Sequence, residues 1–288
     1  MSARRRFVLT LPRTKLVLGP RTLLMGVLNV TPDSFSDGGR FFDPDKAAAH
    51  ALAMQRAGAD LIDIGGESTR PGSAGVSAAV ELRRVLPVLR RLRGRLRVPI
   101  SIDTAKADVA EAAIRAGAQM VNDTSGLRAD PRLAEVARRY RVPLVLMHIR
   151  GTPRTMQKIP FARNILRDVE QGLRRSVRQA LQAGVRRSQL LIDPGLGFGK
   201  TAEQNYEIIQ YLNRLARLRL PLLLGPSRKT FIGKVLGNAP ASDRLMGTAA
   251  AVTASILAGA HIVRVHDVAE MAEVARVADA FLAASHTR

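Results

Sequence analysis

The sequence contains no cysteine and no tryptophan, and aromatic residues make up only 4% of its 288 residues. The absence of cysteine excludes a disulfide scaffold, a thiolate metal site and a cysteine nucleophile. Apolar runs are short as well. None approaches the roughly 18 residues of a membrane-spanning helix, and residues 7–11 are too few for the apolar core of a signal peptide. We therefore expect a cytoplasmic protein with no membrane partner.

Acidic residues are scarce relative to basic ones, since 24 Asp and Glu face 45 Lys and Arg and leave a net charge of +21. Such a charge is typical of nucleic-acid-binding proteins. Proteins that bind single strands, however, usually place stacking aromatic side chains among the basic ones, and aromatics are few here. Many arginines fall in predicted helices, as in residues 81–97 and 174–187, where they would form a solvated face. We predict no nucleic-acid partner, and an RNA-associated basic protein is the non-enzymatic alternative.

Two signals alternate along the chain and divide it into repeating units. Ala-Gly pairs at residues 57–58, 116–117, 183–184 and 258–259 each end a helical pattern, as glycine at a helix C-terminus does. X-Pro pairs at residues 98–99, 142–143 and 220–221 each open an apolar run, where proline at the first residue of a strand is tolerated. The pattern therefore predicts strands and helices in alternation.

The predicted strands are short, continuous and apolar, which is typical of a parallel sheet buried on both faces. They span residues 23–29, 61–64, 100–103, 120–122, 144–147, 190–193, 222–224 and 262–265. Eight strand–helix units favour a single (β/α)8 TIM barrel over residues 21–288; an open doubly wound sheet is the competing architecture. In the first helix, Asp43 is the expected N-cap and Pro44 suits the first turn. Residues 1–20 form a separate extension, a β-hairpin of residues 7–11 and 15–18 covering the bottom of the barrel.

Polar residues end nearly every predicted strand, and barrel enzymes carry their chemistry at the C-terminal ends of the strands. A single such residue is as well explained as a helix N-cap, but a convergent set of unlike polar groups is not. The set comprises Asn29, Asp63, Asp103, Asn122, His148, Asp193, Ser227, Lys229, Arg264 and His266.

A glycine-rich segment at residues 193–201 invites comparison with phosphate-binding loops. The Walker A pattern fails because Pro194 stands where glycine is required, and the dinucleotide fingerprint fails at Lys200. ATP-binding and NAD-binding functions are therefore disfavoured.

Taken in order, the polar segments resemble those of the dihydropteroate synthase family over residues 20 to 285. The matching segments are 29–39, 63–72, 101–104, 122–126, Met147-His148 with Gly151 and Met156-Gln157, 193–200, 227–229 and 264–267. The resemblance implies condensation of (7,8-dihydropterin-6-yl)methyl diphosphate with 4-aminobenzoate to give 7,8-dihydropteroate and diphosphate. It also implies Mg²⁺ as cofactor, sensitivity to sulfonamides and a homodimer, and it points to dissociative substitution without a strong general base.

The resemblance assigns roles residue by residue. The pterin-binding residues are Asp103, Asn122, Met147, Asp193, Phe198 and Lys229, and the diphosphate-binding residues are Asn29, Arg70, Arg264 and His266. The aminobenzoate-binding residues are Phe35, Thr69, Arg70, Pro71 and Ser227, and the metal ligand is Asn29. The catalytic residues are Lys229, Arg264, His266 and Asp37. The segments 29–39 and 65–72, long for loops of this kind, are candidate lids.

Two further enzyme-related alternatives remain open. A pterin-binding domain of a corrinoid-dependent methyltransferase would share the barrel and the carboxylates that face the pterin, but it would leave Ser227-Arg228-Lys229 and Arg264-Val265-His266 without a diphosphate to bind. A catalytically silent paralogue would keep the motifs without the activity.

Overall fold

The computed structural model describes residues 4–31, 43–70 and 72–284, and within them it shows an eight-stranded parallel barrel surrounded by helices. The strands are β1 Phe7–Thr10, β2 Lys15–Leu18, β3 Leu23–Asn29, β4 Leu61–Gly65, β5 Ile100–Asp103, β6 Met120–Asp123, β7 Leu144–Met147, β8 Leu190–Asp193, β9 Leu223–Leu224 and β10 Ile262–Val265. The helices are α1 Pro44–Arg56, α2 Ala78–Leu92, α3 Ala107–Ala116, α4 Arg132–Tyr140, α5 Ile165–Gln182, α6 Ala202–Gln210, α7 Thr230–Val235, α8 Leu245–Leu257 and α9 Val268–Ala284.

The barrel strands β3 to β10 pair in the order β8-β7-β6-β5-β4-β3-β10-β9. Each pairing along this order is parallel, and an isolated bridge between Ile192 and Leu222 joins the two ends. The predicted (β/α)8 barrel is therefore confirmed, and the open doubly wound sheet is excluded.

The apolar side chains are sorted by strand alternation into two layers. One set faces outward and packs against the helices, as Ile62, Ile64 and Val263 do. The other faces the barrel interior, as Leu61, Met120 and others do. Because successive side chains of a strand point to opposite faces, a strand covered on both sides carries a continuous apolar run, which is why periodicity of two is invisible in the sequence.

The N-terminal extension forms the predicted hairpin, in which β1 and β2 pair antiparallel. Its side chains Leu9, Leu11 and Leu18 are buried in the same cluster as the interior residues Leu23 and Met25. The hairpin thus covers the lower, N-terminal end of the barrel and leaves the C-terminal end for the polar residues.

Local expectations hold with small differences at strand ends. Asp43 caps α1 by accepting hydrogen bonds from the amides of Asp45 and Lys46, with Pro44 in the first turn as predicted. Strand β1 ends one residue earlier than predicted, at Thr10, and strands β4 and β6 are one residue longer than predicted. Strand β9 begins at Leu223, since Leu222 makes only the isolated bridge. No helix within the described ranges combines the length and the apolar character needed to cross a bilayer.

Candidate active site

Polar side chains replace the apolar interior at the C-terminal end of the barrel. We call the following residues the mouth cluster: Asp63, Asp103, Asn122, Asp193, Lys229 and Arg264. Two positions earlier on the same strands, Leu61, Met120, Leu191 and Ile262 lie in the apolar interior. Alternation therefore turns the polar residues of these strands toward the same space.

Arg264 joins the two sides of the barrel mouth. Its Nε donates to Asp63 Oδ2 at 2.6 Å and its Nη2 donates to Asp103 Oδ2 at 2.8 Å. Asn122 Nδ2 also donates to Asp63 Oδ2, at 2.9 Å. Asp63 is fully buried, whereas the Arg264 side chain is 20% exposed. The guanidinium is held in one orientation, and its Nη1 has no partner among the described residues.

Burial dominates the electrostatics of the other two carboxylates. It raises the pKa of Asp103 to about 7, although Arg264 opposes the shift. It raises the pKa of Asp193 to about 6, against a hydrogen bond from the Gly195 amide (2.6 Å) and the nearby positive charges of Lys229, Lys200 and Arg264. Perturbed pKa values of this kind are common where a protein keeps charged groups ready for a ligand.

The loop after β8 is fixed by a buried lysine. Lys200 Nζ donates to the backbone carbonyls of Gly195 at 2.7 Å, Phe198 at 2.9 Å and His148 at 3.2 Å. At Gly195, φ is +70° and an added Cβ would lie 2.0 Å from the His148 carbonyl oxygen, so only glycine fits. The lysine that superficially completes a phosphate-binding loop is therefore occupied by the protein backbone, in agreement with the rejected Walker A pattern.

An apolar wall stands beside the mouth cluster. Met147 and Phe198 belong to a small buried group that also contains Ile149 and Met156. Lys229 Nζ lies 4.1 Å from the centroid of the Phe198 ring, a cation–π distance. Burial, together with the nearby charge of Arg264, lowers the pKa of Lys229 to about 8.

His266 and Ser227 form a pair above Arg264. Ser227 Oγ and His266 Nδ1 lie 2.9 Å apart, and the His266 amide donates to the same hydroxyl. Burial, followed by the charge of Arg264, lowers the pKa of His266 to about 4, so its ring is neutral at pH 7. When the hydroxyl donates to Nδ1, the proton of the ring lies on Nε2, which then serves as a hydrogen-bond donor.

Arg228, which follows Ser227 in the chain, has an unusual left-handed backbone: its φ is +57°, although it is not a glycine. The Arg228 guanidinium pairs with Asp267, and its carbonyl accepts a hydrogen bond from Arg244 Nη1 at 2.8 Å. A left-handed residue costs roughly 1–3 kcal/mol and persists only where its surroundings hold it. These contacts hold the turn from which Ser227 and Lys229 project.

The remaining assigned residues lie less centrally. Asn29 ends β3 opposite Gly65 and is half-buried. Thr69 is half-buried and Arg70 is exposed, and among the described residues neither side chain bonds to the mouth cluster. Phe35, Asp37 and Pro71 lie outside the described residues.

One strand-end residue does not join the site, contrary to the sequence interpretation. His148 points away from the barrel mouth and packs on α5, where a Cβ at Gly172 would lie 2.4 Å from its Cδ2. Its Nε2 lies 3.5 Å from Asp168 Oδ2. Because Met147 faces inward, its neighbour along the strand direction faces outward.

The sequence interpretation gave Asp63 no role beyond that of a polar strand end. Its two hydrogen bonds make it the centre of the network that orients Arg264 and Asn122. Alternation with Leu61 indicates the inward direction of Asp63, but the partners are 59 and 201 residues away and cannot be read from the sequence.

The donor set argues against a metal site made by protein alone. No group of three or more His, Cys, Asp or Glu suited to a metal ion occurs in the part of the chain that the structure describes. The Asn29 amide oxygen fits Mg²⁺ as a single ligand, provided that phosphate oxygens and water supply the others, which is usual for this ion.

The sequence is similar to those of known proteins over most of its length. The sequence matches the family described as pterin binding enzyme over residues 25–266. It is 49% identical to the dihydropteroate synthase of Synechocystis sp., with 91% of each chain covered.

Solved structures agree with the sequence match. A Clostridium difficile dihydropteroate synthase determined in the presence of pteroic acid has a TM-score of 0.86 at 47% identity, covering 92% of this chain and 98% of that one. The Yersinia pestis enzyme with a sulfonamide drug has a TM-score of 0.90 at 42% identity (96% and 100% covered). The Xanthomonas albilineans enzyme with 4-aminobenzoic acid has a TM-score of 0.86 at 41% identity (94% and 96% covered).

Proposed function

The chain belongs to the dihydropteroate synthase family of pterin-binding transferases, and from this premise we propose that it condenses (7,8-dihydropterin-6-yl)methyl diphosphate with 4-aminobenzoate, giving 7,8-dihydropteroate and diphosphate. The observation that carries the proposal is the mouth cluster, in which buried carboxylates, an amide and two cations share the open end of one barrel. The complexes of the relatives with pteroic acid and 4-aminobenzoic acid support the choice of substrates.

We propose that Asp193 recognises the hydrogen-bonding edge of the pterin. A pterin presents adjacent N–H donors and a carbonyl, and a carboxylate accepts two parallel N–H bonds in a charge-assisted pair. Asn122 and Asp103 complete the hydrogen bonds of the ring, and Lys229 donates to its carbonyl or a ring nitrogen. A heterocycle that leaves one of these buried groups unpaired loses roughly 1–3 kcal/mol of binding free energy. The site therefore selects a ligand with the hydrogen-bonding edge of a pterin. Met147 and Phe198 supply the apolar wall.

Arg264 and His266 are the proposed diphosphate-binding pair. Asp63 and Asp103 fix the Arg264 guanidinium while its Nη1 stays available, and the neutral His266 ring donates through Nε2. Preorganised donors aimed at developing charge are a large source of transition-state stabilisation. Arg70, in the β4–α2 loop, is the proposed second cation for the diphosphate.

Asn29 is the proposed protein ligand of Mg²⁺, which when bound would neutralise charge on the departing diphosphate. Because one amide oxygen is a weak site by itself, we expect metal binding only together with the diphosphate substrate.

The proposed reaction is a dissociative substitution at the exocyclic methylene of the pterin. The C–O bond to diphosphate breaks first, the electron-rich dihydropterin stabilises the resulting cation, and the aryl amine then attacks and loses a proton. The work of the chain is to position the two substrates and to stabilise the leaving charge. The amine is already neutral at pH 7, so no strong general base is required. The catalytic role of Asp37 stays a prediction.

The aminobenzoate site is proposed at Thr69 and Arg70, with Phe35 and Pro71, whereas the assignment of Ser227 to its carboxylate, which the family resemblance implies, competes with the proposed role of His266. The hydroxyl of Ser227 carries a single proton, which it donates either to His266 Nδ1 or to the aminobenzoate carboxylate. The diphosphate role of His266 and the carboxylate role of Ser227 therefore require opposite neutral tautomers of His266.

We also propose a homodimer that pairs through the α8–α9 face, where large apolar side chains are exposed. Met246 is 79% exposed, Val277 59% and Phe281 61%. Side chains of this kind on neighbouring helices are typical of a protein–protein interface. The cytoplasmic location stays a prediction.

The experiment that tests the proposed function is turnover of the dihydropterin diphosphate with 4-aminobenzoate and Mg²⁺, with diphosphate release and dihydropteroate formation both measured. Equal rates of the two products and competition by a sulfonamide against aminobenzoate are expected. Pterin binding without diphosphate release would instead favour a silent paralogue, and so contradict the proposal.

A further inference from the structure

A buried ion-pair cluster lies beside the β4–α2 loop, outside the mouth cluster. Lys106 Nζ donates to Glu67 Oε2 at 2.7 Å and to Glu81 Oε2 at 2.6 Å. We call these three residues the Lys106 triad. They come from three separate segments: the loop after β4, the first turn of α2, and the residue that precedes α3.

The triad is largely removed from solvent. The Glu81 side chain is fully buried, and those of Glu67 and Lys106 are 19% and 26% exposed. A carboxylate as deeply buried as Glu81 is tolerated only with a partner, and Lys106 is its ionic partner. The cluster is therefore unlike the exposed ion pairs of the outer helices, which contribute little to stability.

Glu67 links the Lys106 triad to the β4–α2 loop. Its second oxygen, Oε1, accepts a hydrogen bond from the Val76 amide at 2.7 Å, so one side chain ties the beginning of the loop to its end. The close approach requires glycine at residue 75, where φ is +76° and a Cβ would lie 2.9 Å from the same oxygen.

The base of the loop is held by backbone contacts as well. The Gly66 carbonyl accepts a hydrogen bond from Arg84 Nη1 at 2.7 Å. A Cβ at Gly66 would lie 2.8 Å from Val85 Cγ1 and 3.0 Å from Glu81 Cγ, so the loop packs directly on α2. Thr69 and Arg70 come directly after this anchored base in the chain.

On the other side, the triad connects to the barrel mouth. Lys106 lies three residues after Asp103, and the Thr104 amide between them donates to the Asn122 carbonyl. The segment that carries Lys106 is thus registered to the strands that carry two mouth-cluster residues. We propose that Lys106 is a positioning residue, which holds Thr69 and Arg70 at a fixed place relative to the pterin-reading side chains, so that the aryl amine is aligned with the pterin methylene.

This inference rests on the proposed function for its kinetic consequence but not for its structural one. If the triad positions the loop, Lys106→Met keeps the length of the side chain and removes both ion pairs. We expect the KM for 4-aminobenzoate to rise by about tenfold or more, because Thr69 and Arg70, its proposed binding residues, are no longer held in place before the substrate binds. The Kd for 6-hydroxymethylpterin, measured without aminobenzoate, should stay within about twofold, since the mouth cluster keeps its own contacts.

A second variant avoids the buried charge that Lys106→Met leaves on Glu81. Glu67→Gln removes only the loop side of the triad and keeps the Lys106–Glu81 pair, and it should raise the same KM. Lys106→Arg retains a cation and should restore most of the lost aminobenzoate affinity. Arg115→Met is the matched control, because Arg115 lies on helix α3, which Lys106 precedes, and pairs with Glu111 on an exposed face; the KM of this variant should equal that of the unmodified protein.

Hydrogen exchange of the unliganded protein gives a readout independent of activity. The Val76 amide should exchange faster in Lys106→Met and Glu67→Gln than in the unmodified protein and in Arg115→Met, because its acceptor is no longer held. Unchanged exchange at Val76 in both variants would overturn the proposal. Faster exchange with an unchanged aminobenzoate KM would also overturn it, since the triad would then be structural only. If the unmodified protein does not turn over these substrates, the proposed function fails, and the exchange data alone decide whether the triad holds the loop.

Discussion

Replacing Asp193 by asparagine should stabilise the unliganded protein while strongly weakening its affinity for pterin. Burial raises the pKa of Asp193 from 3.8 to about 6, so ionisation of this carboxyl costs free energy in the folded state. A difference of about two pKa units corresponds to roughly 3 kcal/mol. The amide is neutral and keeps an oxygen that can accept the Gly195 amide hydrogen bond. We therefore expect Asp193→Asn to raise the free energy of unfolding by about 2–3 kcal/mol at pH 7.5, an increase in Tm of roughly 4–10 °C.

The pH dependence identifies the cause. An acid with a raised pKa in the folded state destabilises the fold at pH values above its unfolded pKa, and the cost is complete above its folded pKa. The gain from Asp193→Asn should thus be full above about pH 6, fall to roughly half at pH 5 and vanish below about pH 4. Thermal unfolding at pH 7.5 and pH 5 measures this change.

Asp130 offers a control of opposite sign. Although burial opposes the shift, hydrogen bonds from Arg132 and from the Ala107 amide lower the pKa of Asp130, so Asp130→Asn should lose stability at pH 7.5. Calorimetry with 6-hydroxymethylpterin supplies the other half of the test: an amide at residue 193 offers one acceptor and one donor to two N–H groups, and affinity should fall by about 100-fold. A variant that is less stable at both pH values and binds pterin normally would refute the reasoning.

The other predictions concern the residues around Arg264. Asp63→Asn should lower the free energy of unfolding by about 3 kcal/mol, because Arg264 loses a buried partner, and unchanged denaturant unfolding would contradict this. Arg264→Ala should weaken binding of the pterin diphosphate far more than that of 6-hydroxymethylpterin in calorimetry; equal losses would argue against a phosphate contact. Ser227→Ala should weaken binding of the pterin diphosphate about fivefold, because it removes one hydrogen bond that orients His266. A selective rise in the KM for aminobenzoate would instead assign Ser227 to the carboxylate.

Much of the fold follows from local patterns in the sequence. The strands 23–29 and 262–265 have the predicted bounds, because a strand buried on both faces is mostly apolar and stands out as a short apolar run. The hairpin formed as predicted for a related reason: its alternation places Leu9 and Leu11 on the same side, where they close the barrel.

The sequence predicts which residues form the site better than it predicts the contacts between them. Alternation along a strand places Asp103, Asn122 and Arg264 at one open end, but it does not show that Arg264 bridges two carboxylates from strands distant in sequence. That contact depends on the register of the closed barrel. A polar residue directly after a strand predicts that His148 faces inward, but Met147 occupies the inward position and His148 packs on α5 instead.

The Lys106 triad shows a different limit. Glu81 lies in a helix with many charged residues and reads as part of a solvated face, yet its side chain is fully buried. Only the packing of the loop base against α2 brings Glu67 and Lys106 to it, and such contacts between loops leave no periodic signal.

A crystal structure of the protein with 6-hydroxymethyl-7,8-dihydropterin diphosphate tests the central claim most directly. The account predicts the aminopyrimidinone edge against the Asp193 carboxylate and Asn122, with the diphosphate oxygens within hydrogen-bond distance of Arg264 Nη1 and His266 Nε2. A ring bound away from Asp193, or a diphosphate that contacts neither Arg264 nor His266, would contradict it.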